Sequence, residues 1–106
     1  MPFTADGPAK RTIEQEFQEL TAEWKEQAAA LSSPSEIGRL PAYQRIIGLG
    51  NEALPLIVRE MEREPDFWFE ALRAITGVNP VPRQARGDLK AMTEAWLRWA
   101  RKTGVI

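Results

Sequence analysis

The residues of this chain that could support chemistry are carboxylates, lysines, arginines and a single tyrosine, Tyr43. The sequence contains neither Cys nor His, which excludes disulfides, thiolate nucleophiles, imidazole bases and metal sites built from those ligands. It also contains no glycine-rich phosphate loop, calcium-binding loop or nucleophile elbow. We therefore predict no catalytic residue, no cofactor and no metal site, and a protein that is not an enzyme.

One run of carboxylates could in principle bind a cation. It consists of Glu60, Glu62, Glu64 and Asp66. Oxygen ligands of this kind suit a hard ion such as magnesium. Arg59 and Arg63 alternate with them, however, and this pattern is more typical of salt bridges on an exposed helix face. We favour the salt-bridge interpretation.

The charge of the chain is distributed unevenly along its length. Residues 1–70 contain 7 Lys and Arg against 13 Asp and Glu, whereas residues 71–106 contain 7 against 2. Four arginines of the basic segment are candidate contacts for an acidic partner: Arg83, Arg86, Arg98 and Arg101. The alternative is structural, with an acidic first helix packed near a basic last helix so that their attraction supports the topology.

The favoured partner is another protein. The isoelectric point is about 5.5, whereas nucleic-acid-binding modules are usually strongly basic, so a nucleic-acid-associated accessory protein is the second interpretation. A third is a self-associating domain, in which the oppositely charged halves of two copies pair in a homodimer. One concrete form of the favoured function is an inhibitor or antitoxin-like protein that neutralises a neighbouring gene product.

Aromatic residues supply two further candidate contacts. Phe67, Trp68 and Phe69 are consecutive, and neighbours on a helix point about 100° apart, so all three cannot face one core. We predict that Trp68 is a core residue and that Phe67 or Phe69 is partly exposed at an interface. Tyr43 is a less favoured contact.

The Pro-rich segment from Val78 to Gly87 has two interpretations. Asn79-Pro80-Val81-Pro82 should hold an extended shape, which suits presentation to a partner. The same segment could instead be a strap that covers the core between two helices, with Val81 inserted into that core. The sequence leaves both open.

The spacing of the apolar residues predicts a compact all-α bundle of about five helices. Thr12 and Gln15 form a capping box for a long helix that ends near Leu31 and packs across the others. The caps predicted for later helices are Ser33, Asn51, Asp66 and Asp88, and the predicted ends include Gly50, Gly77 and Gly104. Trp96 and Trp99 lie at helical spacing in the last helix and are predicted to be core residues.

The domain organisation is simple. Residues 1–11 contain two Pro and one Gly without an apolar period, so we predict a flexible N-terminal tail followed by a single helical domain over residues 12–106. The start lacks the basic and apolar regions of a signal peptide, and no stretch approaches the roughly 20 apolar residues that span a bilayer. We therefore expect a cytoplasmic protein without membrane association.

Residues Leu49 to Gly77 resemble a HEAT-like helical repeat unit. The resemblance is carried by Leu49-Gly50, Ala53-Leu54-Pro55-Leu56-Ile57, Glu64-Pro65-Asp66 and Glu70-Ala71-Leu72. It implies paired helices joined by a Pro-Asp turn. Such repeats need about three copies to bury a continuous core, so we expect HEAT-like pairing within a compact bundle. HEAT-like units usually serve as binding surfaces, which implies an interaction function.

More broadly, the chain resembles a group of small uncharacterised bacterial proteins. The matching segments include Tyr43-Gln44, Ile46-Ile47, Ala71-Leu72, Ala74-Ile75-Thr76-Gly77, Asn79-Pro80-Val81-Pro82 and Ala95-Trp96-Leu97. This resemblance implies a bacterial source and carries no implication about chemistry.

Overall fold

The computed structural model describes residues 12–31 and 33–106. It contains six α-helices in that part of the chain: α1 (Ile13–Ala28), α2 (Pro34–Gly38), α3 (Pro41–Gly48), α4 (Leu54–Arg63), α5 (Phe69–Thr76) and α6 (Leu89–Thr103). Short 3₁₀ segments occupy Gly50–Ala53 and Arg83–Ala85. No strand occurs among the described residues, so the all-α prediction is confirmed. HEAT-like pairing stays a prediction, and the tail predicted for residues 1–11 lies outside the described residues.

Two of the predicted helix starts are confirmed by their hydrogen bonds. At α1, the backbone N–H of Gln15 donates to Thr12 Oγ1 and the backbone N–H of Thr12 donates to Gln15 Oε1, each at 3.0 Å. At α6, Asp88 Oδ1 accepts from the N–H of Ala91 at 3.1 Å. The end predicted for α1 is corrected from Leu31 to Ala28, because the chain turns there and the N–H of Leu31 bonds the carbonyl of Ala28 at 2.9 Å.

Asn51 does not cap α4 as predicted. Gly50 adopts a left-handed φ of 72°, which favours glycine, and the chain continues into the 3₁₀ turn that contains Asn51. The α-helix begins only at Leu54, with Pro55 in its first turn, where a missing N–H leaves no hydrogen bond unmade. None of the described helices is long and apolar enough to cross a membrane.

The predicted cap of α5 is also corrected, because Tyr43 of α3 performs the role assigned to Asp66. The Asp66 carboxylate accepts from the N–H of Phe67 at 2.7 Å, two residues before the helix begins. The third helical N–H, that of Ala71, donates instead to the Tyr43 hydroxyl at 2.9 Å. The same hydroxyl donates to the carbonyl of Phe67 at 2.9 Å, and burial raises the pKa of the Tyr43 phenol far above its usual range. A side chain from a distant helix therefore caps α5.

Replacing Tyr43→Phe is expected to destabilise the protein by about 2–4 kcal/mol, because the N–H of Ala71, which is buried, and the carbonyl of Phe67, which is partly buried, lose their partner at about 1–3 kcal/mol each. Urea unfolding followed by circular dichroism would measure the change. The matched control is Thr103→Val, which removes an exposed hydroxyl that donates to the carbonyl of Trp99 and should cost less than about 0.5 kcal/mol. Equal effects of the two substitutions would contradict the capping role.

An aromatic cluster of Phe17, Trp24, Tyr43 and Trp68 forms the centre of the core. The ring centroids of Trp24 and Trp68 are 4.6 Å apart, and Phe17 and Tyr43 lie 5.6 and 6.2 Å from Trp68. Trp24 also donates its indole N–H to the carbonyl of Ile37 at 3.3 Å. The cluster therefore holds α1 across α2, α3 and the start of α5. Trp68 is completely buried, as predicted.

Three carboxylates of the run form salt bridges. The pairing with arginines of the same helix that the sequence favours is confirmed only for Glu60 with Arg63, and the remaining salt bridges join different helices. Glu64 and Glu60 lie 2.6 and 3.5 Å from Lys25 Nζ of α1, and Glu62 lies 3.1 Å from Arg101 of α6. The hydrogen bond from Lys25 lowers the pKa of the Glu64 carboxyl. Partial burial acts to lower the pKa of Lys25, but the two carboxylates outweigh it and raise that pKa.

The uneven charge was interpreted structurally as attraction between an acidic first helix and a basic last helix, and these salt bridges change that interpretation. The acidic first helix packs mainly against α3, whereas the basic last helix packs against α4. Helix α4 pairs with cations of both α1 and α6. The attraction between the two halves of the chain thus passes through α4 rather than through direct packing of α1 on α6.

Candidate protein-binding groove

The strap, residues 78–87, joins α5 to α6 and lies on the core. Val81 and Ala85 are buried at 7% and 8% exposure, whereas Pro82, Arg83, Gln84 and Arg86 are exposed. The strap interpretation is therefore confirmed, with Val81 inserted as predicted. Its buried residues fix the segment to the core, whereas most of its other side chains are exposed.

Hydrogen bonds within the strap hold its shape. The N–H of Val81 donates to Asn79 Oδ1 at 3.2 Å. The N–H of Ala85 bonds the carbonyl of Pro82 at 3.0 Å, and that of Arg86 bonds the carbonyl of Arg83 at 3.2 Å. Because Pro80 and Pro82 have no N–H, the backbone from residue 80 to 82 offers no free donor.

A groove of about 360 Å³ lies between α5, the strap and α6. We call it the basic groove; it is lined by Phe69, Arg73, Asn79, Val81, Arg86, Met92 and Trp96. Phe69 and Arg73 lie one turn apart on α5, and Met92 and Trp96 lie one turn apart on α6, so each pair shares a helix face. Buried or half-buried apolar side chains form the floor, and exposed polar side chains form the rim.

The rim carries two positive charges that the described part of the chain does not neutralise. Arg73 of α5 and Arg86 of the strap are exposed, and neither forms an ion pair with a carboxylate in residues 12–31 or 33–106. The nearby carboxylate of Glu70 is turned toward α2, where a methyl group built on Gly38 would lie 2.9 Å from Glu70 Oε1. Within the described residues, therefore, no carboxylate neutralises either guanidinium group.

The floor contains a polar group without a partner. Trp96 is completely buried, and its indole N–H has no acceptor among the described residues. The ring meets Trp99 edge-on, with centroids 5.4 Å apart. The prediction of a core position is confirmed for Trp96, whereas Trp99 is only partly buried. An unpaired buried donor is costly, and the indole N–H of Trp68 in the core is also without an acceptor among the described residues.

The structure divides the predicted arginine contacts between two faces. Arg86 lines the basic groove, and Arg83 is exposed in the same 3₁₀ turn. Arg101 follows the groove residue Met92 by about two and a half helical turns, which places it on the opposite side of α6, where it pairs with Glu62. Arg98 is exposed about 120° from Met92. Neither Arg98 nor Arg101 lines the basic groove.

The aromatic candidates are also separated. Phe67 is half-buried and lines a shallow depression with Arg73 and Met92 that adjoins the basic groove. Phe69 is buried in the floor. Because α5 begins only at Phe69, the helical argument about Phe67 and Trp68 does not apply, although one of the three residues is partly exposed as predicted. Tyr43 is corrected as a contact candidate, because it is completely buried and caps α5.

Sequence reasoning missed Arg73, which completes the rim. The sequence did contain one indication for Arg73: it follows Phe69 by four residues, so both side chains lie on one face of α5. What could not be seen is that the strap brings Arg86 to the same groove. That juxtaposition depends on the burial of Val81, which is a tertiary contact.

A second depression, of about 400 Å³, lies between α1 and α4. Its charged lining residues are Lys25, Glu60 and Arg63. Glu60 already forms salt bridges with both of these cations, so this depression presents less uncompensated charge than the basic groove. We therefore take the basic groove as the candidate site.

Comparison of the chain with protein-family models, curated proteins and solved structures finds no match. Function resides in sites rather than in folds, and the basic groove is the candidate site of this chain.

Proposed function

We propose that this chain is a small protein-interaction module of the bacterial cytoplasm, which binds another protein through the basic groove and catalyses no reaction itself. One observation carries the proposal: two arginines from separate elements, neither in an ion pair within the described residues, converge on a groove with an apolar floor. The centres of protein interfaces are enriched in aromatic residues, Met and Arg. Trp and Arg are also among the residues that contribute most to binding energy.

A protein partner suits this groove better than a nucleic acid. Binding along a phosphate backbone commonly uses about 6–10 cationic contacts, whereas two arginines line the basic groove. An apolar floor matches a hydrophobic side chain and has no counterpart in a phosphate backbone.

The proposal includes the finer expectations drawn from the sequence. HEAT-like pairing of α4 and α5 and a bacterial, cytoplasmic setting rest on the resemblances described above. An inhibitor or antitoxin-like role is one form that such an interaction module could take. In that form the partner would be a neighbouring gene product.

Photo-crosslinking in the native cells would test the proposal and identify the partner. A benzophenone amino acid is placed at the position of Arg83, beside the basic groove, and in a matched variant at the position of Arg98, which is also an exposed arginine but on another face of α6. We expect one protein to be crosslinked from position 83 and not from position 98. Crosslinks to nucleic acid, or to the same protein equally from both positions, would contradict the proposal.

A further inference from the structure

We infer that the occupant of the basic groove is a short acidic segment of the partner, in which one large apolar side chain lies within about four residues of one or more carboxylates. This inference rests on the proposed function and names the chemistry of the partner. It is carried by two features that meet in one place: the apolar floor, and the two guanidinium groups that form no ion pair within the described residues.

The size and lining of the floor favour a single apolar side chain. A volume of about 360 Å³ lies at the lower end of the range of roughly 300–1,000 Å³ for small-ligand pockets. It can accept one large side chain with its flanking backbone. Met92 is half-buried at one edge, and the flexible thioether of methionine can adapt to either an aliphatic or an aromatic side chain. We therefore expect the floor to select size and hydrophobicity more than one residue type.

The rim favours carboxylates close to that side chain. A guanidinium group presents parallel N–H donors that match both oxygens of a carboxylate. Arg73 and Arg86 come from different elements and line the same groove, so an acidic residue next to the apolar side chain would be within reach of the rim.

Recognition by backbone pairing is disfavoured at the strap. Strand addition requires free backbone N–H and C=O groups along an extended edge. Pro80 and Pro82 lack the N–H, and the N–H of Val81 already bonds Asn79. Binding to this side of the groove therefore depends on side chains, which makes it sensitive to the acidic and apolar residues of the ligand.

A second copy of this chain is a poorer occupant through its acidic helix. The exposed carboxylates Glu19, Glu23 and Glu26 could meet the arginines. The large hydrophobic residues that the described chain exposes, however, are Val78, Leu89 and Ile106, and none of them belongs to α1. The acidic face of α1 would leave the apolar floor unfilled, so we assign the groove to a different chain.

Selection from a random peptide library would test this inference even before the partner is identified. Displayed 12-residue peptides are selected on the full chain, and the survivors are measured against Arg73→Ala with Arg86→Ala and against the matched control Arg98→Ala. We expect enriched peptides to combine Asp or Glu with an aromatic or large aliphatic residue. Their affinity should fall about tenfold or more in the double variant and stay unchanged in the control.

A substitution in the floor separates binding from folding. Met92→Ala removes a half-buried side chain from the floor of the groove, so it should weaken binding of the selected peptides several-fold. Thermal unfolding of this variant and of the double variant would verify that each remains folded; a peptide affinity unaffected by the double variant would overturn the inference.

Other outcomes would also overturn it. In the selection, these are enrichment of neutral or basic peptides and the absence of any enriched peptide. In separate measurements, they are self-association of the chain, or salt-sensitive binding of a labelled oligonucleotide, that is lost in the double variant. If photo-crosslinking from position 83 still captures a protein, the proposed function stands and only the acidic-segment assignment fails. If crosslinking from position 83 captures no protein either, both the proposed function and the acidic-segment assignment are wrong.

Discussion

Trp68→Ala is expected to destabilise the protein by about 3–5 kcal/mol, which is a large part of the roughly 5–15 kcal/mol available to a domain of this kind. Trp68 is completely buried and contacts the rings of Phe17, Trp24 and Tyr43 at centroid distances of 4.6 to 6.2 Å. Its removal leaves a cavity where α1, α3 and the start of α5 meet. The surrounding rings belong to separate elements and cannot all move to fill it.

Chemical unfolding followed by circular dichroism would measure this loss, because that signal does not depend on the number of tryptophans. Trp99→Ala is the matched control: Trp99 is only partly buried, and its ring packs edge-on against Trp96, away from the aromatic cluster. We expect the control to lose clearly less stability than Trp68→Ala. Equal losses would show that the aromatic cluster is not the centre of the core.

Trp68→Phe should reduce the stability of the fold less than Trp68→Ala for two reasons. The first is that phenylalanine fills more of the space left by the indole ring than alanine does. The indole N–H of Trp68 is buried without an acceptor among the described residues, so phenylalanine removes an unsatisfied donor together with part of the ring. The contribution of Trp68 to stability is therefore assigned to packing rather than to a hydrogen bond.

The parts of the fold that could be predicted depend on contacts between residues close in sequence. The Thr12 capping box and the Asp88 cap form within three residues. The left-handed ends at Gly77 and Gly104 need only a glycine after the last helical turn. Each of these features is visible in the sequence because its physical cause is local.

The parts that could not be predicted depend on distant partners. Asp66 was the local candidate to cap α5, but the cap is the hydroxyl of Tyr43, which reaches Ala71 from another helix. No rule of local spacing identifies such a partner. The same hydrogen bond explains why Tyr43, an aromatic residue with a polar end, is buried rather than exposed at an interface.

The candidate site shows the same division. The basic segment was evident from composition, and Arg86 was among the predicted contacts. Its association with Arg73, and its separation from Arg98 and Arg101, depend on which side of α6 faces the core. Charge counted along the sequence cannot distinguish two faces of one helix. The four arginines predicted as one surface therefore lie on two, with Arg86 at the basic groove and Arg98 and Arg101 away from it.

Arg86→Glu is expected to weaken binding of the crosslinked partner by about 30-fold or more. The substitution removes a charge-assisted hydrogen bond that the bound segment would shield from water, and it places a like charge opposite the partner's carboxylate. Loss of one member of such a buried pair typically costs about 2–5 kcal/mol. Arg86 is exposed and unpaired among the described residues, so its substitution should leave the fold intact. The effect should therefore appear in affinity and not in stability.

Arg98→Glu is the matched control, because it makes the same change of charge on another face of α6. At about 0.15 M salt the Debye length is about 8 Å, so a charge outside the contact should have little influence. Calorimetric titration of the purified partner into the natural protein and both variants tests the assignment of the groove most directly. We predict a loss of about 30-fold or more for Arg86→Glu and a change within about threefold for Arg98→Glu; equal losses, or a larger loss for Arg98→Glu, would contradict the assignment.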